Sequence, residues 1–206
     1  MTLFKTIEKF KSQDTVYAAV IGAGHFGTAV ITQQKYIKDV IIPIVADLNL
    51  ENAKQAFIKA DIPEDKIKYS QDAKEAESEI FKGNYVYTDK SDIILDIKVI
   101  DIICEGTGVP EFGAKYCKAA IEHNKHVALI SKELDSVIGP MLNKMATEKG
   151  VVFTPVDGDQ HGLLINMYEW AKGIGLNVIS GGKSRDGEFI LDEKDQSVSI
   201  QSDGIT

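Results

Sequence analysis

Gly22-Ala23-Gly24-His25-Phe26-Gly27 spells G-x-G-x-x-G in a chain of 206 residues. The pattern does chemistry only where a strand runs into it and a helix leaves it. Both are expected here, because residues 16–21 form a short apolar run and residues 28–38 read as a helix. In that setting Gly22 permits a tight turn, Gly24 lets the backbone approach a diphosphate, and Gly27 brings helix and strand together. Ala23, His25 and Phe26 complete the motif, and the helix dipole favours a diphosphate at the N-terminus that follows. Asp47, 20 residues beyond Gly27, ends a second apolar run. A carboxylate there can accept from the ribose hydroxyls of a dinucleotide. The alternative is a fold of the same kind that holds no ligand. A carboxylate also repels the 2′-phosphate of NADP, and Arg185 is the only Arg in the chain. NAD is therefore expected ahead of NADP, with Lys54, about one helical turn along, as the residue that could offset the preference. FAD is not expected in so short a chain.

In an open α/β sheet, ligands lie outside the carboxyl ends of the strands, and three further loops are expected there. Glu105-Gly106-Thr107-Gly108-Val109-Pro110 follows an apolar run at 99–104. Gly106, Thr107 and Gly108 leave room for a nicotinamide and its ribose, or form an ordinary strand-to-helix turn. Ser131-Lys132-Glu133 follows an apolar run at 126–130. Lys132 there either holds a substrate oxygen and moves a proton or is a solvated surface residue. Asp157-Gly158-Asp159-Gln160-His161-Gly162 follows a run at 151–154. Asp159, Gln160 and His161 are candidate substrate contacts, His161 as an acid–base; Asp159 or Gln160 could equally cap the next helix. Two aspartates and one histidine in one loop match a zinc site poorly, so no metal is expected. His123 and His126 flank a turn at the opposite edge of the sheet and read as structural. Cys104 and Cys117 read as small buried hydrophobes.

The elements that must position these residues alternate. Strands are expected at 16–21, 40–46, 85–88, 99–104, 126–130, 151–154 and 177–180, and helices at 28–38, 50–60, 112–123, 139–149 and 163–172. Leu3, Phe4, Ile7 and Phe10 are spaced as on an amphipathic helix. This order predicts an α/β fold, a doubly wound parallel sheet of Rossmann type, with the beginning of a second domain. The expected division is a dinucleotide-binding domain over residues 1–155 and the start of a substrate or catalytic domain over 156–206. Residues 61–90 carry an inserted acidic segment, in which 72–81 is expected to be an exposed helix decorating the fold.

With 31 acidic and 23 basic side chains the formal net charge is −8, which argues against a nucleic-acid partner. No run approaches the length of a membrane span, and the start lacks the apolar core of a signal peptide. A cytoplasmic protein that binds a small-molecule substrate, without membrane or nucleic acid, is expected.

Three segments together resemble the N-terminal part of the homoserine dehydrogenase-like oxidoreductases that carry a C-terminal SAF domain. They are Val20-Ile21-Gly22-Ala23-Gly24-His25-Phe26-Gly27, Ile102-Ile103-Cys104-Glu105-Gly106-Thr107-Gly108-Val109-Pro110-Glu111 and Val156-Asp157-Gly158-Asp159-Gln160. That group includes deoxyxylulose phosphate reductoisomerase-like enzymes, and the resemblance covers most of residues 12–190. It implies NAD or NADP as hydride carrier and a catalytic domain that in the relatives continues past the position of Thr206; a homo-oligomer is also expected. It places Gly22, Gly24 and Gly27 at the diphosphate and Gly106, Thr107 and Gly108 on the nicotinamide side. Lys132 stands where homoserine dehydrogenases keep a lysine near nicotinamide and substrate. Lys183, in Ser180-Gly181-Gly182-Lys183, lies in a segment the group keeps near its active site. Two residues depart from the pattern: the reductoisomerase-like members have an apolar residue at the position of Lys132, and His161 replaces a usual proline. A non-catalytic NAD(H)-binding or sensing module and a deoxyxylulose phosphate reductoisomerase-like enzyme are the competing expectations.

Overall fold

The computed structural model describes residues 15–155, 160–181, 188–192 and 194–201. The expected N-terminal helix at Leu3–Phe10, and the residues Asp159 and Lys183, lie outside them. The chain divides into two compact units, Met1–Val156 and Asp157–Thr206.

The first unit is built on a seven-stranded, all-parallel sheet. Its strands are β1 (Val16–Ile21), β2 (Val40–Ala46), β3 (Ile67–Tyr69), β4 (Tyr85–Thr88), β5 (Ile102–Glu105), β6 (His126–Leu129) and β7 (Phe153–Pro155). The order is β3-β4-β2-β1-β5-β6-β7, so the chain switches direction across the sheet at β1. β1 shows why the central strands read as continuous apolar runs. Ala19 and Ile21 pack into one core while Ala18 and Val20 pack into the other, and a strand covered on both faces has no polar side.

Helices α1 (His25–Gln33) and α2 (Leu50–Lys59) cover one face, contributing Ile31, Ala53, Ala56 and Phe57 to its core. The other face is covered by α3 (Ala73–Phe81), the single turn α4 (Ile93–Asp96), α5 (Pro110–Glu122) and α6 (Lys132–Lys149). This is the doubly wound arrangement expected from the alternation. Local sequence fixes the helix starts: the Asn49 side chain accepts from the backbone N–H groups of Glu51 and Asn52, and Asp72 accepts from those of Lys74 and Glu75.

Several boundaries differ from the sequence expectation. The first helix begins at His25, three residues early, and ends at Gln33 before a 3-10 turn at Gln34–Tyr36. Strand β5 begins at Ile102, because Ile97 and Ile100 are buried as turn residues and only then does Asp101 meet Tyr17 of β1. The helix expected at 139–149 runs from Lys132. Gly139-Pro140 imitates a helix start, but the inward positions Leu134, Ile138, Leu142 and Ala146 continue through it while Pro140 stays exposed. The segment around residues 72–81 is no surface decoration. Ala76 and Ile80 of α3 are buried in the main core, and β3 adds an edge strand pairing with β4.

The second unit holds α7 (Gln160–Gly173) and an antiparallel hairpin of β8 (Glu188–Asp192) and β9 (Ser197–Gln201). No strand forms at 177–180: this stretch has no strand partner among the described residues, and Ile179 is 93% exposed. No helix among the described residues is long and apolar enough to cross a membrane.

Candidate functional site

At the carboxyl ends of β1, β2, β4 and β5 lies a cleft of about 490 Å³. Its walls include Gly22 and Gly24 after β1, Asp47 and Leu48 after β2, and Gly106 and Thr107 after β5. Five residues singled out from the sequence, far apart in the chain, are thus gathered at one place: Gly22, Gly24, Asp47, Gly106 and Thr107. The position is the switch point of the sheet, where such folds leave a crevice.

The glycine turn is held by its neighbours. Gly22 donates its N–H to Ala46 O at 2.8 Å, and Gly106 donates to Ile21 O at 2.8 Å. Gly22 sits at φ +93°, and a Cβ there would come within 2.5 Å of Gly106 O. Any side chain would push the two loops apart. A Cβ on Gly27 would strike the carbonyl oxygen of Gly22, so this residue sets the closeness of α1 to the turn. Gly24 caps α1 without a side-chain bond, and the first helical bond runs from Thr28 N to Gly24 O. The N–H groups of the first turn therefore lack acceptors inside the helix.

Asp47 follows β2 directly. Its Oδ2 accepts from Ala23 N at 2.7 Å and its Oδ1 from Asn49 N at 2.8 Å. A carboxylate has about four lone-pair positions, so the acid braces the glycine turn and keeps acceptor capacity toward the cleft. Ala23, also tied through its carbonyl to Thr28 Oγ1 at 3.1 Å, is buried beneath the turn. His25 and Phe26 are exposed on the first turn of α1, outside the cleft wall.

On the other side of β1, Glu105 is fully buried and ends β5, although the sequence placed it in the loop. Its Oε1 accepts from Thr107 N at 2.9 Å and from Thr107 Oγ1 at 2.5 Å, while Oε2 is buried without a partner. The Thr107 hydroxyl hydrogen is thereby committed, leaving its oxygen as an acceptor. Gly108, at φ +69°, donates its N–H to the buried Ser131 Oγ at 3.1 Å. Lys132 is the next residue, exposed at the first position of α6 and outside the cleft wall. A cation there opposes the helix dipole, while Glu133 and Asp135 in the same turn favour it. Gln160 and His161 open helix α7 in the second unit.

Sequence reasoning passed over Glu105 as a site residue and the loop after β4 altogether. Asp89 and Ser91 line the same cleft, and the signal was available, since Asp89 follows β4 as Asp47 follows β2. It was masked by reading the preceding segment as an insertion. Lys54, the cation that could have favoured a 2′-phosphate, ion-pairs with Glu64 at 3.2 Å, and that partner raises its pKa. Among the described residues the cleft wall holds no Lys or Arg; Lys90 and Lys115 line an adjoining recess.

The remaining candidates are structural. Burial pushes the Cys104 thiol up to about 11; burial and the Glu105 charge push Cys117 up to about 12. Both stay protonated at neutral pH and lack the thiolate a nucleophile needs. At the opposite end of the sheet, His126 Nδ1 accepts from Val152 N at 2.8 Å, and the buried Lys125 Nζ donates to Ile97 O and Ile100 O. Among the described residues no three His, Cys, Asp or Glu side chains gather in a metal-binding arrangement.

No family model and no curated protein sequence matches the chain. Solved structures do resemble it. A homoserine dehydrogenase from Thiobacillus denitrificans aligns with TM-score 0.52 and 20% identity, over 68% of this chain and 29% of that one. A protein described as an oxidoreductase, yvaA from Bacillus subtilis, aligns at 0.53 and 17% identity, over 79% and 40%. A protein described as an NADPH-dependent oxidoreductase, from Desulfitobacterium hafniense, aligns at 0.51 and 13% identity, over 80% and 42%. The chain thus spans less than half the length of each. At these identities the likeness is one of fold: a doubly wound, Rossmann-like parallel α/β sheet.

Proposed function

We propose that the cleft binds a nicotinamide dinucleotide, NAD(H) ahead of NADP(H), in a homoserine dehydrogenase-like oxidoreductase acting on a small polar hydroxy or oxo substrate. In this reading residues 1–155 bind the cofactor and residues 156–206 belong to the substrate side. The observation that carries it is the meeting of the Gly22–Gly24 turn, Asp47 and the Gly106–Thr107 loop in one cleft. The fold likeness to three oxidoreductases agrees with it.

The residues present fit such a group. The first-turn N–H groups of α1 are without side-chain caps, as a diphosphate requires. A Cβ on Gly24 would meet nothing within 4 Å, so its backbone is open to close approach. Asp47 retains lone pairs for the ribose hydroxyls, and a volume of about 490 Å³ lies within the usual range for ligand clefts. A nicotinamide, when bound, gives or takes a hydride at its C4.

The chain's own residues then have separate tasks. Gly22, Gly24 and the start of α1 hold the diphosphate, and Asp47 orients the ribose while disfavouring a 2′-phosphate. Gly106, Thr107 and Gly108, anchored by Glu105 and Ser131, wall the nicotinamide side. Lys132 carries a proton or positive charge toward the substrate oxygen. Asp159, Gln160 and His161 are assigned to the substrate side by their position after the apolar run at 151–154, and Lys183 to catalysis by the resemblance.

Calorimetric titration of the full chain with NAD+ and NADP+ tests the reading. NAD+ is expected to bind more tightly. Asp47→Ala is expected to weaken NAD+ roughly 10- to 100-fold, the usual cost of hydrogen bonds to a charged group, and to narrow the gap to NADP+. Absence of binding by either nucleotide would overturn the proposal.

A further inference from the structure

Asp89 is built into the cleft as a fixed acceptor. Its Oδ1 receives two hydrogen bonds, from Tyr69 OH at 3.1 Å and from Gln71 Nε2 at 2.8 Å. The hydrogen bond from Gln71, then that from Tyr69, hold its carboxyl below the usual carboxylate range. Burial and the Asp89 charge hold the Tyr69 phenol up, so Tyr69 stays a donor. The loop is fixed from its far side as well: Tyr116, buried in α5, donates its hydroxyl to Ser91 O at 2.6 Å. Both donors to Asp89 come from β3 and the turn after it. With Oδ1 twice occupied, Oδ2 is the oxygen left to the cleft wall that Asp89 forms.

The place of Asp89 in the cleft follows from strand order. β4 lies beside β2, Asp47 donates its N–H to Thr88 O at 3.0 Å, and Asp89 is the next residue. A dinucleotide with its diphosphate on the β1 turn and a ribose on Asp47 has its base one strand further out, about 4.8 Å along the sheet. That strand is β4. The exposed Leu48 supplies an apolar surface beside it. On the other side of β1 the wall is the Gly106–Thr107 loop, which has no carboxylate open to the cleft because Glu105 is buried.

We propose that Asp89 is the specificity-determining residue for the base of the bound nucleotide, its fixed carboxylate accepting from the 6-amino group of adenine. The inference rests on the dinucleotide reading and extends it. A 6-keto purine, hypoxanthine or guanine, turns an acceptor oxygen toward the carboxylate. The two hydrogen bonds on Oδ1 prevent Asp89 from swinging aside to reach another edge of the base. Asp89→Asn inverts this chemistry with little change of shape. The amide oxygen can take the Tyr69 and Gln71 donors, which turns the amide –NH2 toward the base, where it donates to a 6-keto oxygen.

Calorimetry of the full chain with NAD+ and with nicotinamide hypoxanthine dinucleotide tests this without any variant. The hypoxanthine form is expected to bind at least about tenfold more weakly to the wild type. In Asp89→Asn the gap is expected to close or reverse. Equal affinities in the wild type, or an unchanged adenine preference in Asp89→Asn, would overturn the assignment while leaving the dinucleotide reading intact. Failure of the wild type to bind NAD+ and NADP+ would overturn the dinucleotide reading, and this inference with it.

Discussion

Asp47 and Asp89 stand after adjacent parallel strands, Asp47 with both oxygens and Asp89 with one held by the chain's own donors. Such bracing orients a carboxylate before a ligand arrives, which lowers the ordering cost of binding. Glu105 does similar work from below, gripping both the N–H and the hydroxyl of Thr107. The tightest constraint is at Gly27, where the helix passes against the carbonyl of Gly22. Gly27→Ala must displace α1 from the turn. It is expected to cost about 1–3 kcal/mol of stability, as overpacking does, and to weaken nucleotide binding, measured by denaturant unfolding and titration. An unchanged stability together with unchanged binding would contradict the close packing that defines the site.

Among the elements, the glycine turn, the first two strands and the acid after the second were legible, because apolar runs bounded by glycine and aspartate have few other uses. Less legible were elements whose residues serve two purposes. Ile100 looks like strand and is a buried turn residue; Gly139-Pro140 looks like a helix start and is helix interior. The charged stretch before β4 was the costliest misreading. Its surface charges are real, but Ala76 and Ile80 face inward at helical spacing, and three residues suffice for edge strand β3. A short edge strand leaves almost no periodicity to detect. That strand supplies Tyr69, so the same misreading hid Asp89. Ile80→Ala is expected to destabilise the protein by about 2–4 kcal/mol, whereas Phe81→Ala, at a position 72% exposed, should stay within about 0.5 kcal/mol. Thermal or chemical unfolding of the pair checks this. Equal small effects would return α3 to a surface decoration.

Over the whole molecule, the acidic balance and the single Arg acquire a local meaning at the cleft. Among the described residues its wall carries Asp47 and Asp89 and no cation, a field that suits a sugar hydroxyl and an amino group better than an extra phosphate. The likeness to three solved structures is one of fold and extends over less than half of each. The cleft itself therefore carries the nucleotide proposal. Amide hydrogen exchange of the full chain with and without NAD+ tests it most directly. Protection is predicted at three separated segments, residues 22–28, 47–49 and 106–109, with further slowing at 89–91 under the adenine. Binding that leaves these segments unchanged, or no binding at all, would contradict the claim that the switch point at β1 is the nucleotide site.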